Sequence, residues 1–149
     1  MTEIRFYHLQ KTALDDALPA LLQKVMDMDY KSDVIINGDV KEFSDILWEN
    51  NNKNSFIAND IGDNINENSP VAIYNNLNVK VENLRKNRFF INEIDEDLIS
   101  GADLNCFVFN GNDEKILHQA RLFWKKMTQK AEYDLCYYYQ DPVSGWKKK

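Results

Sequence analysis

Hydrophobic positions along this chain change their period several times, and each change marks a different element. Glu3–Tyr7 alternates Ile4 and Phe6 with polar neighbours, the two-residue period of a strand. Leu14, Leu18, Leu21 and Val25 then recur at three- and four-residue steps, which predicts a helix. Pro19 falls inside that pattern, where a missing N–H is harmless only in the first turn. Either Asp15 or Asp16 caps a helix that starts late, or an earlier turn capped by Thr12 is kinked. Asp33–Ile36 reads as a second strand ended by Asn37-Gly38, and Val40–Trp48 as a second helix with Phe43, Ile46 and Leu47 inward.

The middle of the chain is less patterned. Asn50 to Asn68 is rich in Asn and Asp without a helical period, so it reads as a long surface loop interrupted by the apolar Phe56-Ile57-Ala58. Val71–Tyr74 and Arg88–Ile94 are further strand candidates, with an unassigned polar segment between them. Asp95–Ser100 reads as a short helix, Leu104–Phe109 as a buried strand and Leu135–Tyr139 as a last one. Strands alternating with helices predict a three-layer α/β/α sandwich with a mainly parallel central sheet, one domain over residues 1–149.

A helix around Ile116 to Met127 carries the most informative chemistry. At about 100° per residue, Ile116, Ala120, Phe123 and Met127 share one apolar face. Trp124 sits on its shoulder, and Arg121 and Lys125 lie further round on the exposed flank. An indole beside two cations suits an acidic peptide with an apolar end: the ring buries apolar groups while the cations take carboxylates. Equally, a Trp at the edge of an amphipathic helix can be a core residue whose N–H reaches the surface, beside an ordinary solvated face.

Charge is unevenly spread. The net charge is −6, yet residues 39–103 hold 13 Asp or Glu against 6 Lys or Arg, while residues 121–149 hold 3 against 7. The overall acidity argues against wrapping nucleic acid directly, and a basic end on an acidic body matches a small acidic partner better. At 149 residues and 44% hydrophobic, the chain can bury a core without staples. No run approaches a membrane span, and the first residues, with Glu3 and Arg5, lack the apolar core of a signal peptide, so a cytoplasmic location is expected. Cys106 and Cys136 each sit in a strand-like apolar run and are expected to be buried thiols.

Such a fold raises the question of a nucleotide. The segment after the first strand, Tyr7-His8-Leu9-Gln10-Lys11-Thr12-Ala13, contains no glycine, and neither GxGxxG nor GxxxxGK[ST] occurs anywhere. No cofactor is expected. Glu93, Asp95 and Asp97 follow a strand and could hold Mg²⁺ for a phosphohydrolase or nuclease, although Asp95 can equally cap the helix that follows. His8 and His118 are the only histidines, and neither stands at a recognised zinc spacing or is marked as a general base.

Four segments, in order, resemble one known family. They are Phe6-Tyr7-His8-Leu9 with Ala17-Leu18-Pro19-Ala20-Leu21-Leu22; Leu47-Trp48 with Ser55-Phe56-Ile57; Asn110-Gly111-Asn112-Asp113-Glu114; and Ala120-Arg121-x-x-Trp124-Lys125 running on to Gly145-Trp146. The chain resembles the chi subunit of bacterial DNA polymerase III, of the alphaproteobacterial type. The resemblance implies a noncatalytic member of the clamp-loader assembly that ties the replicase to single-stranded DNA-binding protein by gripping that protein's acidic C-terminal tail. It implies that Arg121, Trp124 and Lys125 contact the tail. Asn110 aligns with another contact, usually apolar in the family. A second partner, the psi subunit, would meet Leu47, Trp48 and Phe56. DNA would be contacted only through the partner, although Trp124, Trp146, Tyr137 to Tyr139 and the lysines at 147–149 could also stack and hold single-stranded DNA directly.

Overall fold

A strand covered on both faces has no room for solvated side chains, and all five residues of Ser32–Ile36 are buried. In the computed structural model, which describes residues 2–10, 14–28, 31–48, 60–61, 69–141 and 145–149, this strand lies inside a sheet of eight. The elements are β1 (Thr2–Leu9), α1 (Leu14–Asp27), β2 (Ser32–Ile36), α2 (Val40–Trp48), β3 (Asp60–Ile61), β4 (Val71–Asn75), β5 (Asn87–Ile91), β6 (Leu104–Asn110), α3 (Glu114–Met127), β7 (Tyr133–Asp141) and β8 (Gly145–Lys148). Strand order is β3-β4-β2-β5-β6-β1-β7-β8. Every neighbouring pair is parallel except the hairpin of β7 and β8.

Side-chain alternation divides the core in two. Tyr7 and Leu9 of β1, with Cys106 and Val108 of β6, pack beneath Leu18, Leu21 and Leu22 of α1, with Phe43 of α2 against the same cluster. Ile4 and Phe6, with Phe107 and Phe109, pack beneath Ala120 and Met127 of α3 on the opposite face. The three-layer, mainly parallel α/β fold expected from the pattern is the fold observed. Both cysteines are free and buried, and burial pushes the Cys106 thiol up to about 12.

Several boundaries differ from the sequence expectation. Strand β5 stops at Ile91 instead of reaching Ile94, because Asn92 turns into left-handed backbone with φ 60°. Its N–H then reaches the Val108 carbonyl at 2.8 Å, and its side-chain oxygen accepts the Asn110 N–H at 2.8 Å. Helix α1 begins five residues before Pro19 and runs through it, so the late-starting alternative is not the one adopted; Thr12 lies outside the described residues. A two-residue strand, β3, lies where a continuous loop was expected, and residues 50–59 and 62–68, Phe56-Ile57-Ala58 among them, lie outside the described residues. The short helix expected over Asp95–Ser100 is a single 3₁₀ turn at Glu96–Leu98, and another forms at Val81–Asn83 in the unassigned segment. Strand β8 was not foreseen at all.

Two cations, Arg88 buried and Arg85 partly exposed, stitch the amino-terminal ends of the central strands. Asp33, with 0% exposure, accepts the Arg85 N–H at 2.6 Å and its Nε–H at 2.7 Å. The rest of the guanidinium donates to the carbonyls of Ser69 at 2.5 Å and Ser32 at 2.6 Å. Arg88 has no carboxylate partner of that kind; its side chain donates to the carbonyls of Arg85, Leu98 and Ser100 and thereby closes the turn after β5. Arg85→Leu would leave the Asp33 carboxylate buried without its counter-charge. We expect a loss of about 3–5 kcal/mol, the usual cost of breaking such a pair from one side. Urea unfolding measures it, and a loss below about 1 kcal/mol would show the pair to be dispensable.

Candidate functional site

Helix α3 starts where Asp113 caps it, its carboxylate accepting the N–H groups of Lys115 at 3.0 Å and Ile116 at 3.2 Å. From there the residue angles read from sequence hold. Ala120 and Met127 are buried, Ile116, Leu117, Phe123 and Trp124 are partly buried, and Arg121 and Lys125 are exposed. The Trp124 ring packs edge-on against Phe6, centroids 5.0 Å apart, and against Tyr137 at 5.5 Å. It is therefore part core and part wall, because its other side borders the flank that carries the two cations.

What that wall faces depends on the pairing of the last two strands. In an antiparallel pair, directly opposed residues point to the same face. Tyr139 opposes Lys147, and beyond the last pair the Lys149 N–H reaches the Tyr137 carbonyl at 2.8 Å. Tyr137 packs on the α3 side of the sheet, so Tyr139, Lys147 and Lys149 lie on that side too. The Lys149 Nζ stands 5.5 Å from the centre of the Tyr137 ring. A shallow trough results, with tyrosines for a floor, Arg121, Trp124 and Lys125 along the helix side, and Lys147 and Lys149 along the strand side.

At the head of the trough sits His8, which nothing in the sequence marked as a zinc ligand or a general base. Only 9% exposed, it stacks on Phe109 with centroids 5.3 Å apart, and its Nδ1 is 2.8 Å from the Tyr137 hydroxyl. Burial, reinforced by the Arg121 and Lys149 charges, holds its pKa below the ordinary histidine value. Burial also raises that of Tyr137, against the pull of Arg121. The ring lies against Gly111, where a Cβ would come within 1.8 Å of its Nε2. Glycine is thus required by close approach, with the Gly111 N–H bound to the Leu9 carbonyl at 2.8 Å.

This packing also fills space at the carboxyl ends of β1 and β6, a place where open α/β sheets can take ligands. The chain leaves β1 towards α1 on one face and β6 towards α3 on the other, so the carboxyl ends of these neighbours form a switch point. His8 and Gly111 occupy it, and Asn112 ties it by donating to the Gln10 carbonyl at 2.6 Å.

Other candidates fall elsewhere. Asn110 alternates onto the α1 side with Cys106 and Val108, and its side-chain oxygen accepts the Asn112 N–H at 3.0 Å. On that same side Tyr138 stacks on Tyr7 and Trp146 meets Tyr7 edge-on, so the sheet separates them from Tyr137 and Trp124. Leu47 and Trp48 end α2, and Phe56 lies outside the described residues. Asp95 caps the 3₁₀ turn by accepting the Asp97 N–H at 2.9 Å, and Glu93 accepts from Asn37 at 2.9 Å. Among the described residues no three His, Cys, Asp or Glu side chains gather in a metal-binding arrangement.

A hollow of about 640 Å³ lies on the other flank of α3, between Ile94, Phe107, Ile116, Leu122 and Phe123. Arg121, Trp124 and Lys125 do not line it. Glu93 stands in its wall, and Lys126, one of its two lysines, is already paired with Glu96. An acidic ligand is better served by the trough, where Arg121 and Lys125 stand exposed on the helix flank.

Together these features define an α/β protein without a phosphate cradle, carrying a cation-lined aromatic trough beside its last helix. The profile of the family described as DNA polymerase III chi subunit, HolC, matches residues 1–135, and the chain belongs to that family. Family membership makes it an accessory protein of DNA polymerase III and of DNA replication. No curated protein matches the chain. The matched residues end within β7, so the Tyr137, Tyr139, Lys147 and Lys149 side of the trough lies past them. No helix among the described residues is long and apolar enough to cross a membrane.

Gly111→Ala tests the closed switch point. The added methyl must displace the His8 ring or the Leu9 carbonyl, and we expect about 1–3 kcal/mol of lost stability, the range for overpacking a tight contact. Thermal or urea unfolding reads it out. Unchanged stability would mean that His8 moves aside freely.

Proposed function

We propose that this chain is a noncatalytic subunit of the polymerase III clamp-loader assembly that holds single-stranded DNA-binding protein by its acidic C-terminal tail, in the trough between α3 and the β7–β8 hairpin. The observation that carries this reading is the placement of Arg121, Lys125 and Lys149 around Trp124 and Tyr137, which pairs separated cations with an aromatic surface. Arg121 offers a planar fork for the terminal carboxylate. The Trp124 and Tyr137 rings bury the apolar end, and Lys125 and Lys149 attract the acidic residues upstream. Asn110 holds the turn that brings Gly111 over His8 and shapes the head of the trough. The psi subunit, fastening the chain to the clamp loader, would use Leu47, Trp48 and Phe56, remote in sequence from the tail site.

Direct stacking of single-stranded DNA is the weaker reading, since Tyr138 and Trp146 face away from Trp124 and the chain is acidic overall. A Mg²⁺ enzyme built on Glu93, Asp95 and Asp97 is weaker still, with Asp95 engaged in capping and Glu93 with Asn37.

A peptide ending in Asp-Asp-Ile-Pro-Phe is expected to bind with micromolar affinity, about −7 to −8 kcal/mol. Trp124→Ala and Arg121→Ala should each weaken it by about 1–3 kcal/mol, as truncated anchors do. Amidating the peptide's terminal carboxylate should cost the wild type more than Arg121→Ala, which has already lost the partner. Titration calorimetry on folded variants decides, and wild-type affinity in both mutants would move the site elsewhere. Raising salt should weaken tail binding only mildly, because the apolar anchor is insensitive to screening. An oligonucleotide that binds more tightly than the peptide at physiological salt, with a steep salt slope, would favour the DNA reading.

A further inference from the structure

The polar head of the trough joins four side chains, and the tail reading gives one of them, His8, no role. His8 from β1 touches the Tyr137 hydroxyl from β7, and Arg121 from α3 and Lys149 at the end of β8 act on the same imidazole. Phe109 of β6 and the Gly111 backbone cover its remaining sides and bring no charge. The hydrogen bond between His8 and Tyr137 can run either way. When neutral His8 accepts at Nδ1, the Tyr137 proton points inward and the phenol offers only lone pairs to the trough. When Nδ1 carries the proton, in the neutral Nδ1–H form or in the imidazolium, the bond reverses and the Tyr137 O–H is free to donate outward; a carboxylate bound nearby favours the imidazolium of the two. A carboxylate lying between Arg121 and Lys149 can be received only by the second arrangement, because the first sets oxygen lone pairs against oxygen lone pairs.

We propose that His8 is a positioning residue for this site: through its bond to Tyr137 it turns the phenol into a donor for the tail's carboxylate, and it takes up a proton from solvent as that carboxylate binds. This rests on the tail reading of the trough. The sign follows from the surroundings. In the free protein two cations oppose a charge on His8; a bound carboxylate cancels them and favours the imidazolium. Extra desolvation on binding is small, since the ring is already nearly covered. Tyr137 keeps its own proton throughout, in keeping with its raised pKa. The complex therefore binds more protons than its free parts, and affinity rises as pH falls through the range just below the ordinary histidine value of about 6.5.

The test is tail-peptide affinity between pH 8 and pH 5.5, where the peptide carboxylates stay ionised, together with the His8 titration followed by NMR with and without peptide. We expect binding to tighten about 3- to 10-fold across this range and the His8 titration to move to higher pH in the complex. His8→Asn can donate to Tyr137 without titrating, so it should bind within about threefold of the wild type at pH 8 and lose the pH dependence. Tyr137→Phe, which lacks the hydroxyl, should bind more weakly and also lose it. The relay is overturned if binding is independent of pH in the wild type, if His8→Asn keeps the wild-type slope, or if Tyr137→Phe binds as the wild type does. Absence of peptide binding at every pH overturns the tail reading itself, and the relay with it.

Discussion

Strand β1 is the constraint on which the rest of the structure depends. It lies between β6 and β7, parallel to both, and the register with each is continuous over seven residues. Because side chains alternate, one set of β1 residues must satisfy α3 and the other α1. Ile4, Phe6 and His8 go to the α3 side, while Tyr7 and Leu9 go to the α1 side. A slip of one residue would exchange the two sets and expel His8 from beneath Gly111. The apolar core and the polar head of the trough are thus fixed by the same pairing.

The protein uses a scaffold associated with nucleotide binding and fills the carboxyl ends of β1 and β6 with its own side chain. His8 fills the space at the β1–β6 switch point, Gly111 lets it fit, and the site on offer moves sideways to the outer flank of α3 and the β7–β8 hairpin. A hairpin appended antiparallel to a parallel sheet extends the aromatic floor beyond the helix that covers it. That extension lets Tyr137 and Tyr139 border open space while Phe6 and Phe107 remain core. Lysines on β8 also guard a sheet edge that could otherwise pair with another chain.

Polar groups inside the fold divide by task. Asp33, Arg85 and Arg88 are committed to one another or to backbone carbonyls and serve only to join strands and turns. Lys126 and Lys130 both converge on Glu96, whose carboxyl they hold below its usual range, anchoring the end of α3 to the turn after β5. On the flank of α3 that carries Arg121 and Lys125, both side chains are exposed to solvent.

The sequence by itself determined the elements with a strong period, the layered fold, and the order of residues around α3, because each depends on spacing along a single helix or strand. It also exposed the family through four ordered segments and excluded a glycine-rich phosphate loop. Tertiary structure alone decided which residues meet. The left-handed turn at Asn92 ended β5 early, since its carbonyl and amide partners come from β6, out of view of a local pattern. Strand β8 was invisible because four residues beginning Gly145-Trp146 have no alternation long enough to read, and only pairing with β7 makes them a strand. The aromatic run at 137–139 looked like one platform, and strand alternation splits it between two faces. His8 lies in one of the family segments, yet no pattern assigned it a role; its position rests on a contact with Gly111 across 103 residues, a distance that no periodicity can span.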